Sequence, residues 1–131
     1  MRNYSGEFAI MDAKDTEGAG QPFYVKDYRH IVVAVSAADN PAFTVQAHGA
    51  ISEQAPDFEA SQSADNFYDN VQMRAYEDNS PVDGNTGLVF TGDDTYQLLE
   101  INTNGLTWLN FSLSGYSAGN VTVKAVGFND C

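Results

Sequence analysis

The sequence predicts an all-β fold, an antiparallel, jelly-roll-like β-sandwich of about eight strands. Three observations predict it. First, no segment keeps apolar residues at helical spacing for three turns. Second, short runs of alternating apolar and polar residues recur along the chain; Val121-Thr122-Val123-Lys124-Ala125-Val126 is the cleanest. Third, turn-forming clusters separate these runs: Asp39-Asn40-Pro41, Asn79-Ser80-Pro81, Asp83-Gly84-Asn85, Asn104-Gly105 and Ala118-Gly119-Asn120.

The elements follow in order. Glu7 to Met11 is a short first strand. Phe23 to Tyr28 leads into Ile31 to Ser36, and Phe43 to Ile51 forms the next strand. Val71 to Tyr76 places Val71, Met73 and Ala75 on one face. Gly87 to Thr91, Tyr96 to Ile101, Leu106 to Leu113 and Val121 to Val126 complete the set, the last pairing with Leu106 to Leu113. Asn104-Gly105 predicts a tight type I′ hairpin. Ser52 to Asn66 is the longest polar stretch and reads as a loop, with a short helix allowed over Phe58 to Ala64. Residues 1–20, rich in Gly, Asp and Glu, read as an N-terminal arm that orders on a partner; residues 21–131 form the sandwich. Deleting such an arm should weaken partner binding and leave the sandwich's melting temperature nearly unchanged.

The chain has 131 residues, of which 43% are hydrophobic, enough for one packed domain. Its longest apolar run, Ile31 to Val35, is far short of the roughly 20 residues that span a bilayer. Met1 to Ile10 has no apolar core of a secretory signal, so synthesis and folding in a cytoplasm are expected. Eighteen acidic against six basic residues give a net charge of -12. That charge makes phosphate backbones and anionic lipids poor partners, so neither nucleic acid nor membrane is expected. Cys131 is the only cysteine and allows no disulfide within the chain, leaving a terminal thiol or an intermolecular link.

The sequence shows no catalytic constellation. His30 and His48 fall on different predicted strands with no zinc-ligand spacing. Asp83, Asp93 and Asp94 could offer oxygens to calcium, but no EF-hand spacing is present, and solvated acidic turns are expected. No serine lies in G-x-S-x-G, and Glu53, Glu59, Glu77 and Glu100 define no particular carboxylate pair. We therefore expect no enzyme, no cofactor and no metal. Aromatic residues remain. Trp108 shares one strand face with Leu106 and Asn110, and Thr107, Leu109 and Phe111 share the other, so that strand should be covered on both sides. Trp108 could pack in the core, stack on a sugar or meet a subunit. Tyr4, Phe8, Phe67, Tyr68 and Trp108 are the candidate interface residues.

From about Tyr28 onward the chain resembles the small jelly-roll virion proteins of tailed bacteriophages. The resemblance rests on Gly105-Leu106-Thr107-Trp108-Leu109 and Ser114-Gly115-Tyr116-Ser117-Ala118-Gly119-Asn120-Val121-Thr122-Val123. Asp83 to Leu88 followed by Tyr96 to Asn102, and Pro56-Asp57-Phe58 after Gly49, add to it. It implies a capsid decoration, or cement, protein: a homo-oligomer, most often a trimer, on the outer capsid surface of the virion, bound to the major capsid protein. The family supplies no catalytic residues. A glycan- or receptor-binding module of a tail or head fibre is the alternative, distinguished by a concave groove bearing one or two bare rings.

Overall fold

A computed structural model describes residues 2–130, so Cys131 and its expected thiol role lie outside the described residues. Among these residues every regular element is a β-strand and every pairing is antiparallel. The all-β, sandwich-like expectation holds. The strands are β1 (Arg2–Tyr4), β2 (Phe8–Lys14), β3 (Gly18–Ala19), β4 (Phe23–Tyr24), β5 (His30–Ala50), β6 (Asp69–Asn70), β7 (Met73–Ala75), β8 (Pro81–Val82), β9 (Leu88–Thr91), β10 (Thr95–Asn102) and β11 (Trp108–Asp130).

Two strands organise the molecule. The expected strands Ile31 to Ser36 and Phe43 to Ile51 are one 21-residue strand, β5. Leu106 to Leu113 and Val121 to Val126 are likewise parts of the 23-residue β11. The expected pairing of those two segments with each other is therefore corrected. Trp108 to Ser114 pairs with residues 44–50, and Asn120 to Phe128 pairs with residues 30–38. The first half of β5 also pairs with β10, and its second half with β9 and β6. β5 and β11 thus run side by side through both parts of the sheet.

Both strands turn a corner at the same place. Asp39 and Asn40 adopt φ of 63° and 58°, and the β11 register slips between Ser114 and Asn120. The Asn120 side-chain amide donates to Asp39 Oδ2 at 2.8 Å, tying the two corners together. Turn-forming residues bend the pair here without ending it, which is why two predicted turns lie inside strands. The corners keep the inward faces in phase. Ile31, Val33, Val35 and Ala37 before the bend, and Phe43, Val45 and Ala47 after it, enter one core. Leu109, Phe111 and Leu113 join Val121, Val123 and Ala125 in the same core from β11. Met73 and Ala75 are buried as their alternation predicts.

Three further expectations change. Asn104-Gly105 does turn the chain, with the Leu106 N–H donating to Thr103 O at 2.9 Å. Only Gly105 has positive φ, whereas type I′ requires it at both central residues. The flanking β10 and β11 each pair with β5, so this turn closes no hairpin. Phe58 to Ala64 forms no helix; it holds a turn closed by Ala60 N to Asp57 O and is followed by a Ser63–Asn66 bridge. Residues 2–20 do not wait for a partner: β1, β2 and β3 all pair with β11, and Ile10 and Met11 are buried in the core. Gly20 lets this segment lie close, because a Cβ there would sit 2.4 Å from Ile10 O.

Candidate functional site

The five candidate interface residues lie at separate places. Tyr4 is exposed at the β1 end, 6.2 Å from the Phe128 ring. Phe8 is turned inward and stacks on Phe23 at 4.8 Å, so it supports the core rather than offering a surface anchor. Phe67 is 63% exposed, while its neighbour Tyr68 packs on Phe58 and His48 at 5.0 and 5.3 Å. Trp108 is half-buried, edge-on to Tyr24 at 5.2 Å, with its indole N–H donating to Glu53 O at 3.3 Å. Phe67 and Glu53 both line an open depression of about 540 Å³ formed by residues 51–57 and 64–67.

The loop between β5 and β6 covers the outer face of these strands. The Ala19 N–H donates to Glu59 Oε1 at 2.8 Å, and the Tyr68 hydroxyl donates to Ala60 O at 2.7 Å. Phe58, within the loop, is buried against His48 and Tyr68. The expected double cover of the Trp108 strand is therefore present. On that face Asn110 is fully buried, donates to Gly20 O at 2.9 Å and accepts from the Phe111 N–H at 2.8 Å. Such a pair of bonds offsets the cost of burying an amide.

His48 is buried, 7% exposed, and shares the single strand β5 with His30, where two separate strands were expected. It shares a 2.7 Å hydrogen bond through Nε2 with the Ser112 hydroxyl. In a Ser-His relay the other imidazole nitrogen is held by a carboxylate; here Nδ1 is buried without a hydrogen-bond partner. Burial pushes the imidazole below its ordinary value of 6.5, opposed by the Asn70 side chain and the Asp69 carboxylate. The folded state therefore holds fewer protons than the unfolded chain just below pH 6.5. This contribution to stability is present above pH 6.5 and is lost as pH falls toward the depressed folded value. Unfolding free energy should fall from pH 7 to 5, with a slope from this group of at most about 1.4 kcal/mol per pH unit, and the melting temperature with it. His48→Leu should flatten that slope in thermal denaturation across the same range; an unchanged slope would assign the dependence to another group.

The acidic candidates serve structure in separate turns. Asp83 Oδ1 accepts from the Asn85 N–H, and Asp94 Oδ1 accepts from the Asn40 N–H at the corner. Among the described residues no three His, Cys, Asp or Glu side chains come together as a metal site. Glu100 Oε1 lies 3.9 Å from His30 Nδ1.

An open aromatic surface lies elsewhere, on β10 and just after β7. Tyr96, Leu98 and Tyr76 are 70%, 54% and 50% exposed around a cavity of about 600 Å³. Its floor is the first half of β5, where small residues stand opposite: Ser36 faces Tyr96 and Ala34 faces Leu98. The signal was in β10, whose outward positions Tyr96 and Leu98 are as apolar as its inward Leu99 and Ile101.

No protein-family model and no curated protein matches the sequence. Among solved structures, SPBc2 prophage-derived protein YomS has the same fold, with a TM-score of 0.73 and 14% identity over 98% of this chain and 96% of that one. PBSX exported protein XepA matches with a TM-score of 0.70 and 10% identity. The match covers 98% of this chain but only 38% of that one, so the chain corresponds to one part of the larger XepA.

Proposed function

We propose that the chain is a structural protein of a tailed phage that decorates and stabilises the outer surface of the capsid. The observation that carries this reading is the fold shared with a prophage-derived protein over 98% of one chain and 96% of the other. The similarity of the Trp108 and Val121-Thr122-Val123 segments to phage virion proteins adds to it, as do exposed apolar side chains such as Phe67 and Tyr4 on an acidic protein. In this reading the protein binds the major capsid protein as a homo-oligomer, most simply a trimer on a threefold axis of the shell. It performs no catalysis and engages neither nucleic acid nor membrane. Binding only to the assembled shell stabilises that shell by mass action, and an acidic outer face keeps crowded particles apart.

The test is re-addition to particles stripped of the protein. Full-length chain should sediment with them and raise their resistance to heat or chelator, and should bind unassembled capsid subunit weakly. Phe67→Ser should lower occupancy without changing the melting temperature of the free protein, since that ring is largely exposed. Protein that never sediments with particles would refute the reading.

A further inference from the structure

We infer that the groove between Tyr76 and Tyr96 is a binding site for a neutral saccharide. Two bare rings in a groove are the mark of the glycan-binding alternative; the site goes beyond shell binding and does not depend on it. On the outward face of the sheet, Tyr96 stands opposite Ser36, which stands opposite Thr122; Leu98 stands opposite Ala34, which stands opposite Lys124. The Tyr76 N–H donates to Leu98 O at 3.0 Å, which extends the second row to a further ring. Two tyrosines and a leucine therefore rise from one sheet face beside a floor of Ala34 and Ser36, and leave the cavity of about 600 Å³. That volume is within the usual range of small-ligand sites.

Chemistry selects the occupant. Exposed tyrosine rings offer flat apolar faces with a polar edge, which suits the C–H face and hydroxyl rim of a pyranose. The polar groups lining the cavity are Ser36, Gln97 and Glu77, with no lysine or arginine among them. A carboxylate and an amide accept hydrogen bonds from sugar hydroxyls, and charge strengthens the first of these. An anionic ligand would meet the Glu77 carboxylate and the field of a chain of net charge -12. A second copy of the chain would carry the same charge. A neutral polyol meets neither obstacle. Partial burial, and after it the Glu100 carboxylate, pushes the Tyr76 hydroxyl above its ordinary range and keeps it a hydrogen-bond donor.

The experiment uses the purified full-length protein without particles, so its outcome is independent of capsid binding. Neutral oligosaccharides ending in glucose, galactose, mannose or N-acetylhexosamine are titrated while backbone amide resonances are followed, with dextran sulfate and oligolysine alongside. At least one neutral oligosaccharide should shift the amides of Ala34, Ser36, Tyr76, Tyr96 and Leu98, and dextran sulfate should not. Tyr96→Ala and Tyr76→Ala should each weaken that binding roughly tenfold with an unchanged melting temperature; Tyr96→Phe should retain most of it. The inference is overturned if no saccharide shifts these amides, if the shifts map to Trp108 and Phe67 instead, if oligolysine is the preferred ligand, or if Tyr96→Ala binds as the parent does.

Discussion

Removal of residues 1–20 is expected to destabilise the free protein more than any single substitution discussed here. Ile10 and Met11 are 1% and 2% exposed within the core, and full burial of such side chains is worth about 1.5–3 kcal/mol each. The deletion also strips β2 and β3 from β11 and takes away Gly20 O, the acceptor for the fully buried Asn110 amide. An unpaired buried donor adds about 1–3 kcal/mol. The total, on the order of 5 kcal/mol or more, is comparable with the whole stability of many domains. Chemical denaturation of the truncated chain should show a midpoint far below that of the full chain, or no cooperative transition. This replaces the expectation of an arm that could be cut away with its melting temperature nearly intact. A truncated protein as stable as the parent would restore that expectation.

Gly119→Val is expected to have the largest effect of the single substitutions, because it strikes the corner where β5 and β11 bend together. Gly119 has φ of 89°, and a Cβ there would lie 2.7 Å from both Ala38 O and Pro41 Cα. These are backbone atoms of the facing corner and cannot swing aside. The left-handed conformation costs about 1–2 kcal/mol for an L-residue, and overpacking against fixed atoms about 1–3 kcal/mol more. Gly115→Ala is the contrast. Gly115 also has positive φ, 61°, but nothing lies within 4 Å of its would-be Cβ. Only the conformational cost should appear there. Thermal denaturation of the two variants should therefore separate them clearly; equal losses would show that conformation, not close approach, sets the requirement at Gly119.

The same corner shows what could be read from sequence and what could not. Alternation located the inward residues well, since Val121, Val123 and Ala125 are all buried, and period-two burial is a local property of a strand. Pairing is not local. Asp39-Asn40 and Ala118-Gly119-Asn120 carry the chemistry of chain reversals, yet each bends a strand because the facing strand bends with it. Nothing within either segment says where its partner lies. The N-terminal segment was misread for a related reason: Glu7 to Met11 was legible as a strand, but its acidic, glycine-rich surroundings hid that Ile10 and Met11 complete the core. At the surface, Trp108 drew notice by residue type. Tyr96 and Leu98 carry no such mark, because apolar residues on a strand's second face read the same in sequence whether that face is covered or open. The loop that covers Asn110 and His48 is likewise set by long-range contacts such as Glu59 with Ala19.

We propose above that this chain sits on the outside of a phage capsid. Electron cryomicroscopy tests this on particles purified with and without the gene for this chain, with the full-length chain fitted to density on the shell. Density of this sandwich is expected at repeated sites on the outer surface, in contact with the major capsid protein and missing from particles made without the gene. Shells identical with and without the gene, or density for this fold confined to the tail, would contradict it.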